Sequence, residues 1–370
     1  MELNTEQKVV LWASRLTDNS FLFDNLKQEV NECIRWQDIF KYASKNKVLL
    51  LLYSNLKKCG VHTKSPSYFR RIIDDLLRCN LINNQEKLSE LNKILSQLLE
   101  AGALCAPVKG GYLIDNIYKD RKIRSTNDMD ILIKRKDVDI VDKVMCDNGY
   151  VLGEYNVEDN CILHPDKNKR MLYKTSMYNL LPYIKISDNA INTPIIFDFS
   201  FALDFSLDTR PIEEMLTLAT KINDSLQLKP EHFLIHMCCH HYREASNVAW
   251  IMIGKDLNLI KFCDVREFIL QKMNSSSINE AIKFAKKFNL EKAFYFTVYF
   301  IREIYNDGYE TEILNMLGIK DETFLYQFGE KDYNELQTRK KDFWTSIFSD
   351  NNRDEISQTP KYDGLIGSDV

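Results

Sequence analysis

The sequence predicts an α+β protein in which a mixed core, residues 101–205, lies between two helical segments. Three observations predict it. Leu88, Leu91, Leu95 and Leu98 recur at three- and four-residue steps over 86–100, the spacing of one helix face. Between 104 and 203 short apolar runs, rich in β-branched or aromatic residues, alternate with helical patterns. Helical spacing then returns over 213–342, as in Ala281, Phe284, Ala285 and Phe288, and again in Phe294, Val298 and Ile301.

Taken in order, Ile72, Ile73, Leu76 and Leu77 extend the first helical pattern backward, and no glycine or proline interrupts it before Ala101–Gly102. A strand is expected near 104–109, a helix opening at Gly110–Gly111, and a strand at 128–134. A helix follows near 137–148, stopped by Gly149, and further strands are expected near 170–175 and 194–201. The resulting division is a helical segment (1–100), the core (101–205), a C-terminal helical domain (206–345) and a flexible polar tail (346–370).

Composition excludes several classes. Nine cysteines, an odd number with no CxxC pair, argue against a disulfide framework or a zinc ribbon and fit a reducing cytosol. A net charge of −4 gives no electrostatic footprint for long nucleic acid or acidic membranes. The opening MELNTEQKVVLW carries acids early and no long apolar run, so it does not read as a secretory signal. No stretch approaches the roughly 18–20 apolar residues of a membrane span. A cytoplasmic protein is the expectation.

The informative segment is PVKGGYLIDNIYKDRKIRSTNDMDILIKRKD, 107–137. On a strand, Asp128 and Asp130 project to one face while Met129, Ile131 and Ile133 face the core. Two adjacent carboxylates repel, and a divalent cation with a preference for oxygen ligands, Mg2+ or Mn2+, offsets that repulsion. Asp137 and Asp139 share the spacing but begin a helical pattern, where they point roughly 200° apart and suit the helix dipole instead. Upstream, Gly110–Gly111 at a strand-to-helix turn would let backbone N–H groups approach a phosphate. Lys109 and Arg124 could add charge to a triphosphate, although solvated surface charge is the plain alternative for each.

This order of apolar strand, Lys-Gly-Gly, helix, Arg, Asp-x-Asp-Ile-Leu-Ile and Asn-Gly-Tyr resembles the bacterial uncharacterised nucleotidyltransferase family of the polymerase-β-like superfamily. The resemblance covers roughly 70–265 and is sharpest over 107–151. It implies a small mixed sheet with a third carboxylate on a later strand. That residue should be Asp198, since Phe197, Phe199 and Phe201 alternate onto one face and an aspartate within such a run is costly unless paired or metal-bound. Asp204 is the rival. The sequence departs from the family pattern at Gly111, where Ser is common, and at Ser200, where His is common.

His232, His236 and His240 at i, i+4 and i+8 fall on one helical face beside His241, Cys238 and Cys239, so a zinc site is conceivable, but no carboxylate or thiolate sits at a recognised ligand spacing. His236 and His240 match histidine-bearing positions of the family's downstream helix and would border a nucleotide pocket. The expected activity is transfer of a nucleoside monophosphate, AMP by default because ATP is abundant, to an unnamed acceptor with pyrophosphate leaving. A small molecule, peptide or protein is favoured as acceptor over long nucleic acid. The alternatives are a catalytically silent binding module of the same fold and a zinc-dependent hydrolase using the histidine helix.

Overall fold

The computed structural model describes residues 3–16, 20–31, 34–187, 193–222, 225–330, 333, 335–350 and 352–356. Helices α1 (Thr5–Ala13), α2 (Ser20–Asn31), α3 (Trp36–Lys45) and α4 (Leu49–Lys58) precede the 34-residue α5 (Ser67–Glu100). Next come β1 (Cys105–Val108), α6 (Gly110–Leu113), a π-helical turn Ile114–Tyr118, β2 (Met129–Ile133) and α7 (Val138–Asp147). Short strands β3 (Val151–Leu152), β4 (Glu154–Asn156) and β5 (Cys161–Leu163) lead to α8 (Lys167–Ser176), β6 (Tyr183–Ile186) and β7 (Pro194–Ser200). After α9 (Arg210–Thr217), β8 (Thr220–Ile222) and β9 (Ser225–Gln227), α10 (Pro230–Ser246) begins a helical series. It continues through α11 (Val248–Met252), α12 (Leu259–Lys272), α13 (Ser275–Lys287), α14 (Glu291–Ile304), α15 (Tyr309–Leu317) and α16 (Phe343–Phe348).

The chain divides into two compact units: 78–236, and 1–77 together with 237–370. This differs from the expected divisions at 100/101 and 205/206, because the boundaries fall inside α5 and α10. A helix lends one stretch of its length to one core and the rest to another, and its internal periodicity carries no mark of the change.

The unit 78–236 is built on a five-stranded mixed sheet of order β1-β2-β7-β6-β3. Only β2 and β7 run parallel; β1–β2, β6–β7 and β3–β6 are antiparallel. Leu88, Leu91, Ile94, Leu95 and Leu98 of α5 and Val141, Val144 and Met145 of α7 join Met129, Ile131, Ile133, Phe197, Phe199 and Phe201 in one core. Tyr150 meets Phe197 edge-on at 5.2 Å, and Tyr183 meets Phe199 edge-on at 5.7 Å. Their hydroxyls donate to Glu90 (2.8 Å) and Asp142 (2.7 Å), so the phenol oxygens enter the core edge already satisfied.

Two expectations change. Residues 170–175 form part of α8, not a strand; Asp166 caps that helix by accepting from the Lys169 amide at 2.7 Å. The strand that pairs with β7 there is Tyr183–Ile186, whose apolar run is too short to stand out. The tail expected over 346–370 starts as packed chain: Ser346, Ile347, Phe348, Asn352 and Glu355 are all buried. Positions 357–370 lie outside the described residues. In the unit formed by 1–77 and 237–370, Asn352 donates to Asp256 at 3.2 Å, and Asp256 also pairs with Arg339 at 2.8 Å, so a buried charge holds the segment down.

Phe197→Ala would empty the centre of the sheet core and should cost about 3–5 kcal/mol. Urea denaturation checks this; a loss under about 1 kcal/mol would mean that the ring carries little of the packing described.

Candidate active site

Strand β2 alternates between the core and the opposite face, as its sequence dictates. Met129, Ile131 and Ile133 are fully buried in the core, which leaves Asp128 and Asp130 on the other face. Strand β7 does the same with Phe197 and Phe199 inward and Ile196, Asp198 and Ser200 half-buried. Parallel pairing sets Asp130 directly beside Asp198. Ligand atoms from Asp128, Asp130 and Asp198 all lie within 4.8 Å of one another, and among the described residues this is the one such group of three or more metal-ligating side chains. Asp130 is buried, and Asp128 and Asp198 are half-buried. Asp204 is not part of the group; past the end of β7 its carboxylate accepts from the Ser206 amide at 2.9 Å, closing a local turn.

Three carboxylates at this separation disfavour their shared ionised state unless positive charge is near. An all-oxygen donor set on two adjacent strands fits a hard divalent cation, whose ligand distances are about 2.0–2.6 Å. Part of the compensation in the chain itself comes from Lys109, whose Nζ lies 2.5 Å from Asp130 Oδ1. Lys109 follows β1, which pairs antiparallel with β2 and sets Val108 opposite Asp130. Its backbone has φ 49° and ψ −128°, a conformation that costs a non-glycine residue roughly 1–3 kcal/mol. Its carbonyl accepts from Leu113 N at 2.8 Å and so starts α6.

Gly110 and Gly111 have a packing role that the sequence does not disclose. A Cβ at Gly110 would run into the Thr126 side chain, with Thr126 Cβ 2.7 Å away. One at Gly111 would lie 2.8 Å from Leu91 Cδ2 of the core. Substituting Gly111 by a branched residue therefore disturbs the core, whatever it does to a phosphate.

The loop 119–128 that delivers Asp128 is held by one face of α5. Asn80 donates to the Lys122 carbonyl (2.7 Å), and Asn84 to those of Arg121 (2.7 Å) and Arg124 (2.8 Å). Lys87 donates to Thr126 O (2.7 Å) and Asn127 O (3.1 Å), and Thr126 Oγ1 donates to Asp128 O at 2.9 Å. Lys87 is only 7% exposed. Burial pushes its ammonium below the ordinary lysine value, while the Asp128 and Glu86 carboxylates work the other way. Sequence reasoning missed this face, since Asn80, Asn84 and Lys87 at i, i+4 and i+7 look like the solvated side of an amphipathic helix. The signal was two amides placed on that stripe, which favour backbone partners. Arg124 is half-buried, and its guanidinium donates to the neighbouring Ser125 carbonyl.

Tyr173 lies on α8. Burial, followed by the coulombic effect of Tyr178, Glu154 and Asp198, pushes its phenol up to about 12.

The histidines form no metal centre: among the described residues no group of three ligand atoms includes His232, His236, His240 or His241. His236 is buried in the unit 78–236. In the other unit His240 Nδ1 lies 3.2 Å from Arg243 and Nε2 lies 3.4 Å from Glu244. His241 packs against Phe262 at 4.2 Å, and burial followed by Lys261 drives its pKa well down. The zinc-hydrolase alternative thus has no structural support.

Comparison with known proteins agrees with this geometry. The profile of the family described as uncharacterised nucleotidyltransferase matches residues 32–306. That span is most of the chain, and the protein belongs to this family. A comparison with curated proteins gave no match. No helix among the described residues is long and apolar enough to cross a membrane.

Lys87→Met would leave the Thr126 and Asn127 carbonyls short of a charged donor, and should lower stability by about 1–3 kcal/mol. Urea denaturation measures it. Unchanged stability would show that the loop before Asp128 is held without Lys87.

Proposed function

We propose that the protein transfers a nucleoside monophosphate from an NTP, ATP by default, to an acceptor hydroxyl or other nucleophile, releasing pyrophosphate. The observation that carries this reading is the convergence of Asp128, Asp130 and Asp198 on one face of β2 and β7 in a member of a nucleotidyltransferase family. Asp128, Asp130 and Asp198 would hold divalent ions, Mg2+ or Mn2+, with Asp198 on the side of the reacting centre. Bound there, such ions would stabilise the charge on the entering and leaving oxygens of an in-line displacement.

The chain's own residues divide the remaining work. Asp198 takes the proton of the acceptor hydroxyl as its oxygen attacks the α-phosphorus. The bond from that phosphorus to the bridging oxygen breaks, and pyrophosphate departs with the bonding pair. Lys109 and Arg124 offer charge to the β- and γ-phosphates. The turn at Gly110–Gly111 presents backbone N–H groups at the start of α6. A small molecule, peptide or protein acceptor suits the net charge of −4 better than long nucleic acid does. A cytoplasmic setting suits the scattered cysteines, which form no CxxC pair.

The test is pyrophosphate release from each of the four NTPs with Mg2+ or Mn2+ over a panel of acceptors, followed by mass analysis for an NMP adduct. Asp198→Asn should lower single-turnover transfer about 10²–10³-fold, the scale of removing a group that acts on the transition state. Asp204→Asn should leave transfer near the wild-type rate. If Asp204→Asn abolishes transfer and Asp198→Asn retains it, the third carboxylate is misassigned. NTP binding without an adduct from any acceptor would favour a silent binding module.

A further inference from the structure

Lys109 sits where a cation is needed, on a backbone that costs energy to hold. Its Nζ is 2.5 Å from Asp130 Oδ1, and the carboxylate side chain is only 9% exposed. The residue carries a β-carbon in a positive-φ conformation, although the two positions after it are glycine. A glycine at 109 would adopt that backbone without strain, so the side chain is what lysine adds at this position. Asp128, Asp130 and Asp198 bring three carboxylates within 4.8 Å, and an ammonium beside the most buried of them relieves their repulsion.

We propose that Lys109 is an exchangeable counter-ion that occupies the carboxylate group while metal is absent and moves to the triphosphate when metal and nucleotide arrive. The proposal rests on the nucleotidyltransfer reading and adds to it a coupling between two ligands. An ammonium at 2.5 Å from Asp130 is repelled by any divalent cation that shares that carboxylate. Lys109 must therefore leave Asp130, and it needs another anion to go to. Its four-carbon stem and compact charge suit such a move, which a planar guanidinium would make less easily. The β- and γ-phosphates of an NTP supply the destination. Metal alone then binds against the lysine, and metal with nucleotide binds with it, so each ligand favours the other. The coupling between the two ligands follows from a single side chain.

The experiment is titration of Mn2+ alone, by calorimetry or by the electron-spin signal of unbound ion, into wild type, Lys109→Met and Lys109→Gly. The glycine variant relieves the backbone, so it keeps the test usable if the methionine variant folds poorly. A non-hydrolysable NTP analogue is titrated in parallel. Both variants should bind Mn2+ alone about tenfold more tightly than wild type, since a unit positive charge next to the site is gone. Both should bind the analogue more weakly than wild type. Mn2+ affinity equal to or below that of wild type in the variants overturns the counter-ion role and leaves the metal site standing. Absence of Mn2+ binding in all three proteins, with or without analogue, overturns the metal site itself and this inference with it.

Discussion

The parallel pairing of β2 with β7 is the constraint on which the rest depends. It sets Asp130 beside Asp198, and in doing so creates a like-charge cluster that the fold must hold against its own repulsion. The register is fixed from the opposite face. Met129, Ile131 and Ile133 on one strand and Phe197 and Phe199 on the other are buried at or near zero exposure. A slip of one residue would drive aspartates into that core and aromatics out of it. The core under the sheet thus specifies where the carboxylates above it lie.

Ahead of this pair in sequence the chain supplies two sets of restraints. Before it, Asn80, Asn84 and Lys87 on α5 take up carbonyls along 121–127, so the approach to Asp128 is tied to a helix whose other face is core. Ahead of that loop, Lys109 brings an ammonium to Asp130 from a strained backbone, and Gly110 and Gly111 admit Thr126 and Leu91 at distances no side chain would allow. Positioning residues held in this way, by buried hydrogen bonds and close packing, are what a reacting centre requires. The strain at Lys109 is local and is outweighed by the surrounding structure.

The sheet and its carboxylates were legible because a strand has a period of two. Asp128 and Asp130 could be placed on a common face, and Asp198 on the face away from three phenylalanines, from alternation alone. The family resemblance then supplied the reason to join two strands distant in the chain. What was not legible was direction in three dimensions. The two glycines read as an opening toward phosphate, yet in the fold the missing β-carbons point at Thr126 and Leu91. The stripe of Asn80, Asn84 and Lys87 has the spacing of a solvated face, and its partners are carbonyls some 40 residues away, as in the Lys87 contact with Asn127. The segment 170–175 looked extended because aromatic and long side chains suit strands, but the Asp166 cap four residues earlier decided for a helix. The division into units escaped because it falls inside α5 and α10, where periodicity continues unbroken.

The central claim is that Asp128, Asp130 and Asp198 form the metal-binding heart of a nucleotidyl-transfer site. Anomalous diffraction from crystals grown with Mn2+ and a non-hydrolysable NTP analogue tests it most directly. The account predicts one or two anomalous peaks at about 2.0–2.6 Å from carboxylate oxygens of these three aspartates. The analogue's α-phosphate should lie next to them. Peaks at the histidines of α10, or a bound analogue with no peak between β2 and β7, would contradict it.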